Sequence, residues 1–355
     1  MKKRIIGIDM ARALAVIGMI IVNFKVVLGA KGNPELKAFA SIFDGKAAAL
    51  FVVLAGVGLA LMTKSALKNK QEKKLKLIKR KIVKRAIFLF VVGLSYIYIW
   101  PADILHFYGV YMLAVLFLLK ARQRILLLSS VALIAVYPLI LFFVPYETAW
   151  DFENLTYLDF WSVNGFFRNL FVNGFHPVLP WTSFMLFGYW LGQQDLQDQQ
   201  LVRRFLFLGG ATFLIIQLVA FCGSRVAGLE EWELDIILAT SPMPPYPLYM
   251  FNGGAFAITL ISICILIGQR FSSNLIVREL NKLGQLALSV YVAHIVIGIT
   301  ATELLWPDSL GTYSIGFSFI YALVFSLFAA AFASFWLSYF KIGPLEWLMR
   351  KVCGS

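Results

Sequence analysis

The stretch GIDMARALAVIGMIIVNF, Gly7 to Phe24, is apolar enough for a membrane helix, yet it carries Asp9 and Arg12 at one end and Asn23 at the other. Eleven helical steps of about 100° come to about 1100°, close to three turns, so Arg12 and Asn23 point the same way about 16 Å apart along the axis. Asp9 is Arg12's neighbour on that face, and pairing is the cheapest way to keep a charge near a membrane interface. The stripe reads either as a structural ion pair or as the lining of a polar passage facing other helices. Asp103 and His106 in PADILHFYGVY are three apart, close enough on a helical turn for the carboxylate to orient the imidazole and raise its basicity, as a general base requires. His176 precedes the apolar run of HPVLPWTSFMLFGYWLG, which also contains Trp181. Asp44 opens FDGKAAALFVVLAGVGLAL, and His294 stands in ALSVYVAHIVIGI with Tyr291 three residues before it. Each histidine also has a plain structural reading, as a polar residue bonded to a neighbouring helix. No HExxH or paired-His spacing for a metal, no GxSxG elbow and no Walker loop is present.

The elements that must position these groups follow from composition. The chain is 60% hydrophobic and 14% charged, with mean hydropathy +0.78 over 355 residues, against roughly 25% charged in soluble domains. This composition predicts an all-α integral membrane protein. Ten apolar stretches, at roughly 8–28, 46–63, 86–101, 104–120, 125–144, 178–193, 205–222, 246–268, 284–304 and 314–340, are candidates to cross a bilayer core of about 30 Å. The third and fourth, separated by Trp100 to Asp103, are alternatively shorter or re-entrant. An open sheet is excluded because lipid leaves its edges unsatisfied, so a bundle of about ten transmembrane helices in a single domain over 1–355 is expected.

Charge sets the orientation. With the N-terminus inside, the inner ends and loops hold 25 of the 32 Lys and Arg, which predicts both termini cytoplasmic. The same asymmetry accounts for the net charge of +13. The run from Lys64 to Arg85 has no interleaved aromatics for base stacking, so it points away from nucleic acid and toward anionic lipid or the phosphates of a cytoplasmic cofactor. Cys222, Cys264 and Cys353 are far apart and imply neither a disulfide framework nor a metal site. The MKKR start before an apolar run resembles a signal peptide, but Asp9 and Arg12 within it favour an uncleaved first helix. Two outer loops are sizeable: 145–177, rich in aromatics such as Trp150, Phe152, Trp161, Phe166 and Phe167, and 223–245, with EEWELD and SPMPPYP. Neither is long enough to fold alone.

The segments RIIGIDMARALAVIGMIIVNF, FDGKAAALFVVLAGVGLALM, PADILHFYGVY, HPVLPWTSFMLFGYWLG, LGQLALSVYVAHI and GPLEWLMR together resemble the YeiB-like bacterial membrane proteins. These are similar to lysosomal heparan-α-glucosaminide N-acetyltransferase and, more distantly, to the bacterial membrane enzymes that O-acetylate polysaccharides. The resemblance runs from Arg4 to Arg350. It implies a multi-pass protein of the cell (inner) membrane that moves an acetyl or other acyl group from cytoplasmic acyl-CoA to a sugar amine or hydroxyl on the outer side, without a metal. The polysaccharide acetylases carry an arginine, ten residues and then a histidine, and here Asn23 takes the histidine's place. The lysosomal enzyme has an asparagine there and a catalytic histidine in the following loop, where this chain has none between Phe24 and Asp44.

On this reading Asp9 and Arg12 hold the donor's pantetheine or phosphates, while His294 and Tyr291 line its tunnel. Asn23 bonds the acyl carbonyl. His106 with Asp103, or His176, is the base, and Asp44 and Trp181 face the acceptor. The rival class is a transporter or a lipid- or solute-binding protein that uses the same passage without chemistry. A homodimer is compatible with either.

Overall fold

The computed structural model describes residues 5–223, 238, 240–305 and 310–354. EEWELD and Arg225 lie outside the described residues. In chain order the helices are α1 (Ile6–Leu28), α2 (Pro34–Ser41), α3 (Lys46–Lys68), α4 (Glu72–Ser95), α5 (Leu105–Phe117), α6 (Gln123–Phe143), α7 (Val163–Arg168), α8 (Val178–Gln193), α9 (Gln199–Gly223), α10 (Pro247–Arg270), α11 (Leu275–Gln285), α12 (Ala287–Ala293), α13 (Thr300–Leu305), α14 (Ile315–Tyr339) and α15 (Pro344–Cys353). Two π-helical turns, Asn169–Asn173 and His294–Ile299, follow α7 and α12. A two-residue hairpin, β1 (Trp150–Asp151) with β2 (Thr156–Tyr157), interrupts the helices.

The described helices make this an all-α membrane protein apart from that hairpin. Among the described residues seven segments are long and apolar enough to cross a membrane: Ile6–Leu28, Pro34–Lys68, Gln123–Phe143, Gln199–Gly223, Pro247–Arg270, Ala287–Leu305 and Ile315–Tyr339. The other three stretches read from the sequence also form helices but fall short of that standard. Helix α4 carries Lys and Arg through its first half, and α5 and α8 have 13 and 16 residues, about 20 and 24 Å at 1.5 Å per residue.

The basic run 64–85 differs most from expectation. It is a helical hairpin, with α3 continuing to Lys68 and α4 starting at Glu72. Leu75, Ile78, Ile82, Ala86, Leu89 and Gly93 form a buried stripe at steps of three and four. The lysines between them occupy the remaining faces, which hides the period from a hydropathy average.

The chain divides into two compact units, with α3, α9 and α10 shared between them. The first comprises Met1–Phe51, Leu196–Leu206 and Ile258–Ser355, the second Val52–Asp195 and Phe207–Ala257. In the first unit α1 packs against α11, α12 and α14. At Gly284 of α11 any side chain would strike the Asp9 backbone, so a glycine is what permits that approach. The span expected at 284–304 is present from Ala287 to Leu305, set off from α11 by a break at Leu286, and Glu346 of α15 bonds the amides at that break. Its Oε1 accepts from the N–H groups of Leu288 and Ser289 at 2.9 and 3.2 Å, and Oε2 accepts from Ser289 Oγ. These are amides that the first turn of α12 leaves without helical partners, and a carboxylate also suits the positive end of that helix.

In the second unit α4 pairs with α5, and α8 packs on α5 and α6. Gly56, in AGVGLA, meets the α8 backbone at Met185 and Gly188, so small residues bring α3 and α8 together. Loop 145–177 is built on Asn173, which is fully buried. Its Nδ2 donates to the carbonyls of Tyr146 and Thr148, its Oδ1 accepts from Tyr157 Oη, and its carbonyl accepts from Trp150 Nε1. Trp150 is thereby structural, whereas Phe152 and Trp161 remain exposed. Cys222, Cys264 and Cys353 are free thiols.

Replacing Glu346 with Ala leaves the α12 amides unpaired, at a cost of about 2–3 kcal/mol. Glu346→Gln, which keeps an acceptor oxygen, recovers more than half of it. Urea unfolding of the detergent-solubilised protein reads both values.

Candidate functional site

In the first unit the polar groups of α1 find partners. Arg12 Nη1 donates to Asp9 Oδ1 at 2.7 Å; the Asp9 side chain is buried, and Arg12 keeps 27% of its side chain exposed. The i, i+3 pair is therefore present, with guanidinium N–H groups still turned outward. Three turns on, Asn23 Nδ2 lies 2.9 Å from His294 Nε2, a contact across 271 positions of sequence. With the amide donating, that imidazole is neutral. His294 is fully buried and is the first residue of a π-helical turn, a geometry that often marks functional positions. The Tyr291 and Phe24 rings meet His294 edge-on at 5.1 and 6.2 Å, and Phe51 stacks on Tyr291. Asp44 is engaged by Lys25, whose Nζ donates to both carboxylate oxygens at 2.6 and 2.7 Å and to Ser41 Oγ.

In the second unit Asp103 and His106 meet, with a geometry other than a simple helical turn. Asp103 precedes α5 and caps it: Oδ2 accepts from the His106 backbone N–H and lies 3.0 Å from His106 Nδ1. Oδ1 accepts from Tyr96 Oη at 2.6 Å. Both side chains are essentially inaccessible, and the carboxylate holds the imidazole with its proton on Nδ1. His106 Nε2, also buried, has no hydrogen-bond partner among the described residues. A lone pair in this setting is poised to accept a proton.

His176 joins this group through Phe107, whose ring lies 4.0 Å from His106 and 6.0 Å from His176. Tyr111 Oη donates to the His176 carbonyl, and the Trp181 ring stands perpendicular to the imidazole at 4.5 Å. Burial lowers the His176 pKa to about 3; Asp103 opposes that shift and His106 adds to it. The ring is thus neutral at physiological pH. Trp181 is fully buried. Among the described residues no group of three or more His, Cys, Asp or Glu is placed to hold a metal.

Several positioning residues escaped the sequence reading. Gly93 lies on α4 and Tyr96 follows its last residue: a Cβ at Gly93 would collide with Asp103 Oδ2 and the His106 amide, so this glycine makes room for the acid–imidazole pair. Its place in the stripe after Ala86 and Leu89 was the available signal. Asn173 gave none, since its four partners are remote in sequence. Lys46, buried at the start of α3, entered only the charge balance.

Gly93→Ala displaces Asp103 and lowers stability by about 1–3 kcal/mol. Gly210→Ala, where a Cβ meets nothing within 4 Å, raises it by about 0.5–1 kcal/mol. Unfolding curves of the two variants give opposite signs. Because His176 is neutral, its ring shows no titration between roughly pH 5 and 8 in histidine NMR spectra of the detergent-solubilised protein.

Residues 4–227 match the family described as heparan-alpha-glucosaminide N-acetyltransferase, catalytic. Residues 190–354 match a family described as protein of unknown function (DUF418). No curated protein matches the chain. The two matches support the YeiB-like resemblance, and the first covers well over half of the sequence. The chain belongs to the heparan-alpha-glucosaminide N-acetyltransferase catalytic family of membrane acyltransferase-like proteins.

Proposed function

We propose that the protein transfers an acetyl or other acyl group from cytoplasmic acyl-CoA to an amine or hydroxyl of a sugar on the outer side of the cell (inner) membrane. About ten helices, with both termini cytoplasmic, would work as one domain. The observation that carries this reading is the buried Asp103–His106 pair, with Nδ1 held by the carboxylate and Nε2 open, in a chain of an N-acetyltransferase family. Acyl-CoA supplies an activated acyl thioester. Arg12, steadied by Asp9, presents its remaining N–H groups to the donor's phosphate or pantetheine oxygens. Asn23, oriented by His294 within the first unit, is an amide able to bond a carbonyl of the donor, and Tyr291 packs beside that histidine.

His106 Nε2 takes the proton from the acceptor amine or hydroxyl. The freed lone pair forms the new bond to the acyl carbon as the carbon–sulfur bond breaks and CoA leaves as the thiolate; the imidazolium, stabilised by Asp103, then gives up its proton, which neutralises that thiolate. His176, neutral and beside Trp181, helps to place the acceptor. Asp44 shares its charge with Lys25 on the acceptor side. The basic faces of α4 meet anionic lipid headgroups.

Isothermal calorimetry of acetyl-CoA with the detergent-solubilised protein tests the donor half. Saturable binding weakened about ten- to a hundredfold by Arg12→Ala is expected. His106→Ala would keep that binding and lose thioester turnover. Folded protein that binds neither acetyl-CoA nor longer acyl-CoAs would sink the reading, and solute uptake without CoA release would favour transport.

A further inference from the structure

The ring contacts of the second unit continue beyond His176. Trp181 meets Tyr249 of α10 at 6.1 Å, and Phe184 meets the same ring at 6.3 Å, so that face of α10 packs on α8. Asn252 follows Tyr249 by three positions and lies on the same face one turn along. Its side chain is fully buried, and neither Oδ1 nor Nδ2 has a hydrogen-bond partner among the described residues. The same holds for Trp181 Nε1, His176 Nδ1 and His106 Nε2. A buried primary amide with none of its hydrogen bonds made is among the least favourable groups a helix can carry, and leucine would fill nearly the same volume without that cost. The stability given up at Asn252 is what a ligand-reading position requires.

The chemistry of the surroundings limits the ligand. Trp181 offers only a donor, the amide offers both donors and an acceptor, and His176 is neutral. Among the described residues the carboxylate that acts on His176 is Asp103, already engaged by Tyr96 and His106, and no described Lys or Arg lies in ring contact with His176 or Trp181. An anion here would sit near a buried carboxylate with no cation among the described residues in ring contact with His176 or Trp181 to offset it. Hydroxyls and amides, which donate and accept at once, match the open atoms.

We propose that Trp181 and Asn252 form a binding site for an uncharged hydroxyl- or amide-bearing group, and that this site rejects carboxylate, sulfate and phosphate. Taking that group as part of the acyl acceptor rests on the transfer reading above; the site itself does not. The acceptor face held here is then a neutral sugar rather than an acidic one.

Thermal unfolding of the full-length, detergent-solubilised protein tests this without any assay of transfer. Asn252→Leu should raise the Tm of the ligand-free protein by about 2 °C or more, since it removes an unpaired amide. Glucose or N-acetylglucosamine at millimolar concentration should raise the wild-type Tm, glucuronate should not, and the neutral-sugar shift should vanish in Asn252→Leu and shrink in Trp181→Phe. A lower Tm for Asn252→Leu would mean that the amide has a structural partner and would overturn the proposal. So would stabilisation by glucuronate equal to that by the neutral sugars, or no shift with either neutral sugar. If the sugar shifts occur while acetyl-CoA fails to bind, the site stands and the transfer reading falls.

Discussion

Asp103 is a fully buried carboxylate at the start of a short helix, and the second unit is arranged around the need to satisfy it. In so apolar a body an uncompensated carboxylate would be prohibitive, so both oxygens are engaged by a phenol, a backbone amide and an imidazole. Each partner sets a further condition. Tyr96 must lie at the end of α4, α5 must begin where its first amides face the carboxylate, and α4 must present a glycine at position 93 for the two to fit. The capping that stabilises α5 also fixes the His106 tautomer, so fold stability and proton chemistry depend on the same oxygen.

A comparable economy governs the first unit. Asn23 and His294 bond one another across the helix packing, and the segment 275–305 that brings His294 there is divided into α11, α12, a π-turn and α13. A break exposes amides and carbonyls, and inside lipid these must be met within the protein. Glu346, far along the sequence, meets those at the start of α12. The C-terminal segment, which resembles an unremarkable amphipathic tail, thereby supports the element that carries His294.

The loop from 145 to 177 shows the same principle outside the spans. It lacks the length for a core of its own, and one buried asparagine ties together four of its residues, Tyr146, Thr148, Trp150 and Tyr157. His176 emerges from that framework next to Trp181, and burial keeps its ring neutral.

Much of this was legible in the sequence. Composition and the length of the apolar runs determined a helical membrane protein, because lipid admits few other solutions. Spacing pointed to the Asp9–Arg12 pair, because residues three apart on a helix are neighbours whatever the tertiary fold, whereas Asp103 and His106, equally spaced, meet through a cap ahead of α5. Other features depended on long-range packing. The Asn23–His294 bond joins residues 271 positions apart, the α3–α4 hairpin hides its buried stripe among lysines, and Asn252 looks in sequence like one polar residue in an apolar helix. Periodicity records which face of a helix is apolar. It carries no information about which distant helix that face will meet, and so only the tertiary structure decided which polar atoms were paired and which were left open.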